Sequence, residues 1–229
     1  LYCTVNPLMK EEELFEDLDG LLRPLYLSGL DGVIMQDIGA IQYVREHYPD
    51  LPVFASTQTT AVSANGVKAL EKLGITRVIL ARELSLQEIR EIRRETSADL
   101  ECFIHGALCY SYSGQCLFSS IAGGRSGNRG RCAQPCRMNY TVSEPSGKIL
   151  KKEVPVLSLK DLNTIELLPE VIEAGVSSLK IEGRMRKAEY ASGVTSVYRK
   201  YLDLYLEKGK DAYHVDSEGT DISGVIFPV

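Results

Sequence analysis

Four of the six cysteines, Cys109, Cys116, Cys132 and Cys136, fall within 28 residues in the spacing C-x6-C-x15-C-x3-C. Thiolates at that density are ligands for an iron–sulfur cluster or for structural zinc. Zinc sites usually bring cysteines in close pairs, which only Cys132 and Cys136 approach, whereas a cluster accepts irregular spacing. An iron–sulfur cluster is therefore the leading reading and zinc the alternative. Disulfides come third, because the rest of the chain reads as a cytosolic α/β enzyme, where they are rare. Unliganded structural thiols are the remaining reading. Cys3 and Cys102 sit inside strand-like runs and read as small buried hydrophobes.

The same stretch is basic. Arg125, Arg129, Arg131 and Arg137 lie between Gly123 and Met138 with no acid among them, in a chain of formal net charge −5. From Lys10 to Asp19, by contrast, six acids face one lysine. Such a local patch can draw a phosphate or carboxylate without making the whole molecule basic. The competing reading is a solvated loop face.

These residues need a frame. Short β-branched runs alternate with amphipathic stretches: strands are expected near Tyr2–Asn6, Gly32–Gln36, Pro52–Thr57, Arg77–Ala81, Leu100–His105 and Ser178–Glu182. Helices are expected over Lys10–Leu27, Ile38–Tyr48, Ala61–Leu73, Ser85–Thr96, Asp161–Ala174 and Lys187–Lys208. One-way βα alternation predicts a parallel sheet with helices outside it. The fold expected is an α/β, TIM-like (β/α)8 barrel lacking its N-terminal strands, since the chain opens on Leu1 in strand-like sequence and reads as a fragment. A doubly wound open sheet is the alternative. The partial barrel would occupy residues 1–208, with a cysteine-rich insertion at 106–160 and a tail of uncertain structure at 209–229. The insertion is far longer than a βα loop of about 2–6 residues, and such insertions gather at the carboxyl ends of strands, where sites form. No apolar run reaches the ~20 residues of a membrane helix.

Strand alternation then selects polar candidates. Glu101 and His105 share one face of their strand, and Lys180 and Glu182 share one face of theirs, so both pairs are expected in the barrel lumen. His105, Lys180 and Glu182 are the catalytic candidates. Asn6, Gln36, Asp37, Ser56 and Gln58 fall at strand ends toward the same mouth, with all but Ser56 taken as substrate-binding. Against these stand a satisfied core histidine, a mutually neutralised Lys180–Glu182 pair, and a deep structural Glu101.

The runs Glu101-Cys-Phe-Ile-His105-Gly-Ala-Leu-Cys109-Tyr-Ser-Tyr-Ser-Gly-Gln-Cys116 and Arg125-Ser-Gly-Asn-Arg-Gly-Arg-Cys132-Ala-Gln-Pro-Cys136-Arg137 resemble the signature of the collagenase-like peptidase family. Leu157-Ser-Leu-Lys-Asp-Leu and Leu179-Lys-Ile-Glu-Gly-Arg184 fit it too, and the resemblance covers roughly residues 1–208. It implies a TIM-like barrel and, for some members, a 4Fe-4S cluster on four cysteines matching Cys109, Cys116, Cys132 and Cys136. It adds Arg184 to the substrate-binding candidates. Members include hydroxylases of transfer or ribosomal RNA associated with prephenate, accessory proteins of quinone-ring hydroxylation, and proteins reported as collagenases. Three functions follow as expectations. The first is a cytoplasmic RNA-modifying hydroxylase taking RNA or a small carboxylate. The second is a peptidase acting on protein, although neither G-x-S-x-G nor H-E-x-x-H occurs. The third is a non-catalytic cluster-binding scaffold.

Overall fold

The computed structural model describes residues 1–184 and 186–216. The chain divides into two compact units, Leu1–Glu83 with Cys109–Leu159, and Leu84–Leu108 with Lys160–Val229.

In the first unit, β1 (Tyr2–Val5), β2 (Gly32–Met35), β3 (Val53–Ala55) and β4 (Arg77–Ile79) pair in parallel in chain order. The register sets Val33 against both Cys3 and Val53, and Ala55 against Val78. Val33, Met35, Val53, Ala55 and Val78 are all buried, the near-continuous apolar pattern of strands covered on both faces. Helices α1 (Leu18–Leu27), α2 (Ile38–His47) and α3 (Ala64–Lys72) supply Leu18, Leu22, Ile41, Val44 and Val67 to that core. The helix expected over Lys10–Leu27 is present: the chain is helical from Glu11, passes through a π-helical stretch at Glu13–Asp17, and continues as α1. Asp37 caps α2 through Ala40 N–H at 2.9 Å, and Ser63 caps α3 through Gly66 N–H at 3.2 Å.

Two further pieces follow in sequence order and belong to different units. The helix α4 (Leu86–Glu95) of the second unit begins at a capping box formed by Ser85 and Glu88. It leads into β5 (Asp99–Gly106). In the first unit, the cysteine-rich segment holds α5 (Phe118–Gly123), tight turns at Gly127–Arg129 and Pro135–Arg137, and a hairpin of β6 (Tyr140–Ser143) and β7 (Ile149–Val154). That hairpin is where two strand-like runs, Tyr140–Val142 and Ile149–Glu153, around the turn residues Pro145-Ser-Gly147 predict one.

The second unit continues with β8 (Leu162–Asn163), α6 (Leu168–Glu173), β9 (Ser178–Ile181) and α7 (Ala188–Lys208). β5 pairs with β9 in parallel and with the two-residue β8 antiparallel. Of the helix expected over Asp161–Ala174 only the start is replaced: β8 takes Leu162–Asn163, and a 3-10 turn at Ile165–Leu167 runs into α6. Thr164 donates from both its N–H and its hydroxyl to Ile104 O, and Asn163 Oδ1 accepts from Ile165 N–H, so local side-chain bonds outcompete the first helical turns. On α7, Tyr190, Val194, Tyr198 and Tyr201 are buried at helical spacing and form the stripe that faces the unit's core.

The architecture is therefore mixed α/β with a parallel sheet. Among the described residues no strand pairing closes a barrel: the recorded neighbour of β1 is β2, and that of β9 is β5. Within the expected tail, Tyr213 donates its hydroxyl to Ile165 O. Residues 217–229 of that tail lie outside the described residues.

Gly106 ends β5 at φ +102°, and a Cβ there would stand 2.3 Å from Glu182 O. Gly106→Ala is expected to destabilise the protein by more than ~1 kcal/mol, through both the dihedral and the clash. Urea denaturation measures it; an unchanged midpoint would mean that this close approach is not a feature of the folded chain.

Candidate functional site

The cysteine loop is fastened to its own unit at Ser113, which is completely buried. Ser113 N–H donates to Glu83 Oε1 at 2.8 Å, and its hydroxyl donates to the same oxygen at 3.2 Å. Arg82 donates to Ser113 Oγ from its backbone N–H at 3.3 Å and its Nε at 3.2 Å. Thr60 donates its hydroxyl to Ser113 O at 2.7 Å, and Gln115 Nε2 donates to Thr60 Oγ1 at 2.9 Å. Gly114, at φ +74°, leaves no space for a side chain, since a Cβ would lie 2.3 Å from Gln58 O. The segment between Cys109 and Cys116 is thereby held rigidly just past the end of β4. Sequence reasoning passed over Ser113, Arg82 and Glu83; a lone Ser between Tyr112 and Gly114 carries no signal of burial.

All six cysteines are free thiols in this structure. Cys109 is exposed, and Cys116, Cys132 and Cys136 are half-buried. Burial raises the Cys136 thiol above its ordinary range, helped by the nearby Cys109 and Cys132 and opposed by Arg137 and a backbone hydrogen bond at Tyr110. Three of the four thiols therefore sense one another. Gln134, in the left-handed region at φ 55°, donates its N–H to Cys132 Sγ at 3.3 Å. Ser119 Oγ, also buried, accepts Ala133 N–H at 2.9 Å and ties the two halves of the loop. Reduced thiols with a backbone N–H aimed at sulfur are a donor set that suits a thiolate-held cluster. Among the described residues no three His, Cys, Asp or Glu side chains are gathered closely enough to hold a metal ion as they stand.

The four loop arginines divide. Arg129 forms a bidentate pair with Glu13, at 2.7 and 3.0 Å, and this hydrogen bonding holds the Glu13 carboxyl down at about 2. Arg137 donates to Ser158 Oγ and Leu159 O. These two fasten the loop. Arg125 donates its Nε to Arg131 O at 3.0 Å, and both guanidinium groups remain exposed and without a carboxylate partner among the described residues.

Asn6, Gln36 and Gln58 converge in the first unit. Gln36 Nε2 donates to Gln58 Oε1 at 2.7 Å and to Asn6 O at 2.5 Å. Asn6 Oδ1 is buried and accepts no hydrogen bond among the described residues, an unmet demand that a water or ligand donor would satisfy. Asp37 does not join them. It caps α2 and accepts Met9 N–H at 3.1 Å, which is a structural use of both carboxylate oxygens.

In the second unit His105 is only 4% exposed. Its Nδ1 lies 3.4 Å from the Tyr198 hydroxyl, which donates to Ile104 O at 2.9 Å or Asn163 Oδ1 at 3.2 Å and accepts Thr164 N–H at 3.1 Å. Burial pushes the His105 pKa down, with Asp161 opposing and Arg186 reinforcing the shift. Burial also lifts Tyr198 to about 12. Tyr190, equally buried, stands beside His105 with ring centroids 6.1 Å apart, and its hydroxyl has no partner among the described residues. Arg186 pairs with Asp161 at 2.9 Å and lies over the Tyr190 ring. Tyr190, Tyr198, Asp161 and Arg186 are the residues that sequence reading missed. The tyrosine spacing of eight on a long helix reads first as core.

The other lumen candidates part company. Lys180 pairs with Glu101 at 3.0 Å, not with Glu182, and Ser178 donates its hydroxyl to the second Glu101 oxygen at 2.7 Å. The parallel register places Glu101 opposite Ser178 and Phe103 opposite Lys180, which explains the choice. Glu182 Oε1 instead accepts Arg184 N–H at 2.7 Å, and the Arg184 side chain is exposed.

Comparison with known proteins bears on this arrangement. The model of Peptidase family U32 matches residues 1–223. A 23S rRNA 5-hydroxycytidine synthase of Escherichia coli is 39% identical over 221 residues, which cover 96% of this chain and 33% of that protein. The tRNA hydroxylation protein P1 of Bacillus subtilis is 38% identical over 211 residues, 90% of this chain and 50% of that protein. A collagenase of Porphyromonas gingivalis is 33% identical over 217 residues, 89% of this chain and 51% of that protein. The chain thus spans a third to half of the length of these relatives.

Two outcomes are expected from the geometry. Ser113→Ala removes the hydroxyl that donates to Glu83 and accepts from Arg82, and should cost ~0.5–1.5 kcal/mol. Limited proteolysis should then cut within 106–160 faster, and an unchanged cleavage rate would count against the clamp. For His105 the folded pKa lies below the unfolded value of about 6.5, so the unfolded chain binds the proton first. Stability should fall as pH drops below about 6.5, and His105→Gln should flatten that fall in urea titrations at successive pH values. An equal slope in the variant would remove His105 as its source.

Proposed function

The chain belongs to peptidase family U32, and on that premise we propose that it is part of an RNA-modifying enzyme of the hydroxylation type. The observation that carries this reading is the loop held at Ser113. From Gly106 to Ser143 it contains four cysteines and four arginines and not one Asp or Glu. Thiol donors for a redox group and a positive surface for phosphate are what a hydroxylation on RNA requires together. The names of two similar proteins, a ribosomal RNA hydroxycytidine synthase and a tRNA hydroxylation protein, support the same direction.

In this reading Cys109, Cys116, Cys132 and Cys136 hold an iron–sulfur cluster of the 4Fe-4S type, with zinc the alternative ion. When bound, the cluster supplies electron transfer. The chain's own groups do the rest. Arg125 and Arg131 offer guanidinium groups to phosphate. Asn6, Gln36 and Gln58 present carboxamides able to read a polar edge of a base or a small carboxylate. His105, neutral because buried and bonded to Tyr198, can accept a proton at neutral pH. A TIM-like barrel completed elsewhere in a longer protein is the fold that accompanies this reading, supported by the one-way βα order.

The peptidase reading has the collagenase relative in its favour. Proteolysis needs an activated nucleophile or a catalytic metal. The hydrogen-bond partner of His105 is a tyrosine whose ionisation is suppressed, and burial holds the neighbouring Cys102 thiol at about 12, far from a thiolate at neutral pH. Neither makes a nucleophile–base pair.

The test is nucleoside mass analysis of ribosomal and transfer RNA from a deletion strain, complemented with wild type or with Cys132→Ser/Cys136→Ser. Loss of one hydroxylated nucleoside, restored by wild type alone, is the expected outcome. An unchanged profile in the deletion strain would sink the proposal. Anaerobically purified full-length protein should carry iron and sulfide with absorbance near ~400 nm, and a colourless protein with stoichiometric zinc would replace the cluster by zinc.

A further inference from the structure

Two aromatic rings on the cysteine loop are displayed to solvent instead of being packed. Tyr110 is 59% exposed and Tyr112 65% exposed. Neither makes a ring contact or a side-chain hydrogen bond among the described residues. Exposed aromatics are common singly, but these two alternate along a segment that is otherwise immobilised. Tyr112 directly precedes Ser113, whose N–H, hydroxyl and carbonyl are all hydrogen-bonded, and Gly114, which packs against the Gln58 backbone. Tyr110 lies beside Cys109, and its backbone is bonded toward Cys136. Both rings therefore stand on fixed backbone and would lose little conformational freedom on meeting a partner.

The loop that carries them is basic, although the Glu83 carboxylate is bonded to Ser113 beside Tyr112. No acid occurs from Gly106 to Ser143, and Arg125 and Arg131 on the same loop have no carboxylate partner among the described residues. Their two neighbours Arg129 and Arg137 are engaged in holding the loop. Rigid, exposed aromatics combined with exposed guanidinium groups match the way unpaired nucleotides are held, with bases stacked on rings and phosphates on cations. A double helix keeps its bases stacked inside and offers nothing to the rings.

We infer that Tyr110 and Tyr112, with Arg125 and Arg131, form a docking surface for single-stranded RNA, stacking two unpaired bases while the arginines meet the flanking phosphates. This rests on the RNA reading above and adds to it the form of the substrate, a loop or bulge rather than a duplex. The overall charge of −5 leaves this loop as the electropositive part of an acidic chain, which favours local capture over general adhesion.

The experiment uses full-length protein and two fluorescent probes, a 12-nucleotide oligouridine and a 12-base-pair RNA duplex. Wild type is expected to bind the single strand at least about tenfold more tightly than the duplex. Tyr110→Ala/Tyr112→Ala should weaken single-strand binding about tenfold or more, with the thermal midpoint unchanged because the rings are exposed. Tyr110→Phe/Tyr112→Phe should retain it, since stacking needs the ring and not the hydroxyl. Arg125→Gln/Arg131→Gln should reduce the slope of log K against log salt by about 1.4, at about 0.7 per single-strand phosphate contact. If wild type binds the oligouridine but the alanine pair binds equally well, the surface is wrong and the RNA reading stands. If the alanine pair instead lowers the thermal midpoint at unchanged affinity, the rings are covered by another part of the longer protein, and the inference fails. If wild type binds neither probe, the RNA reading fails together with this one.

Discussion

A buried polar residue in a glycine-rich loop must find a partner for each of its groups, or the loop will not stay where it is. Ser113 is the residue at which the cysteine loop meets that demand. Its N–H, its hydroxyl and its carbonyl are bonded to Glu83, Arg82 and Thr60, residues that follow β4 and β3 of the same unit. The apolar strands β1–β4 provide the rigid base, and the hydrogen bonds transmit that rigidity to a segment with no apolar core of its own. Everything attributed to the loop depends on this attachment: which sulfurs lie near one another, and which side chains are left facing solvent. The Arg129–Glu13 pair adds a second tie, but an exposed ion pair contributes little and weakens with salt. Hydrogen bonding to a fully buried serine is the stronger constraint.

The second unit solves a similar problem with a tyrosine. The Tyr198 hydroxyl has one proton and stands near three acceptors, Ile104 O, Asn163 Oδ1 and His105 Nδ1. It can donate to one at a time, so the protonation of His105 is linked to which of the three receives that proton. A histidine in such a place is kept neutral by desolvation and held in orientation by its neighbour. That suits a group which accepts or relays a proton, and it ill suits one that must activate an adjacent nucleophile, because the adjacent group is itself a reluctant acid. The buried Tyr190 hydroxyl beside it, without a partner among the described residues, has the character of a group waiting for a polar ligand, as does Asn6 Oδ1 in the first unit.

Much of the frame was legible from the sequence because it is governed by local rules. Short β-branched apolar runs placed the six main strands, the S-x-x-E spacing of Ser85 and Glu88 is that of the capping box they form, and the Pro145-Ser-Gly147 turn located the β6–β7 hairpin. The short β8 was not legible. Its existence depends on Thr164 and Asn163 bonding to groups 60 residues away in sequence or to the local backbone, and such bonds defeat a helical pattern that composition alone favours. Alternation correctly put Glu101 and Lys180 on polar faces, yet it could not choose the partner of Lys180. Register decides that, and register is a property of two strands. Asp37, a carboxylate at a strand end, reads as a ligand-binding group, and the structure shows both its oxygens bonded to backbone N–H groups, one of them capping α2. The α/β class and its parallel strands stand, while closure into a barrel finds no pairing among the described residues.

The charge pattern bears on the RNA reading proposed for a chain that is acidic overall. Six acids between Lys10 and Asp19 lie in the same unit as the arginine loop, and one of them, Glu13, occupies Arg129 in a bidentate pair. A carboxylate held in that fork has the geometry of a phosphate contact, so the unit already contains a competitor for its own basic surface. Weak, non-specific attraction to any polyanion is thereby reduced, since the most strongly engaged arginine is not available to it. What remains open is Arg125 and Arg131, on the same loop as the exposed rings of Tyr110 and Tyr112. Selectivity then comes less from the amount of positive charge than from pairing a small charge with rigid aromatic surface, and this again depends on the loop being clamped at Ser113. A mobile loop with the same residues would have to lose its freedom on binding, and the same contacts would yield less affinity.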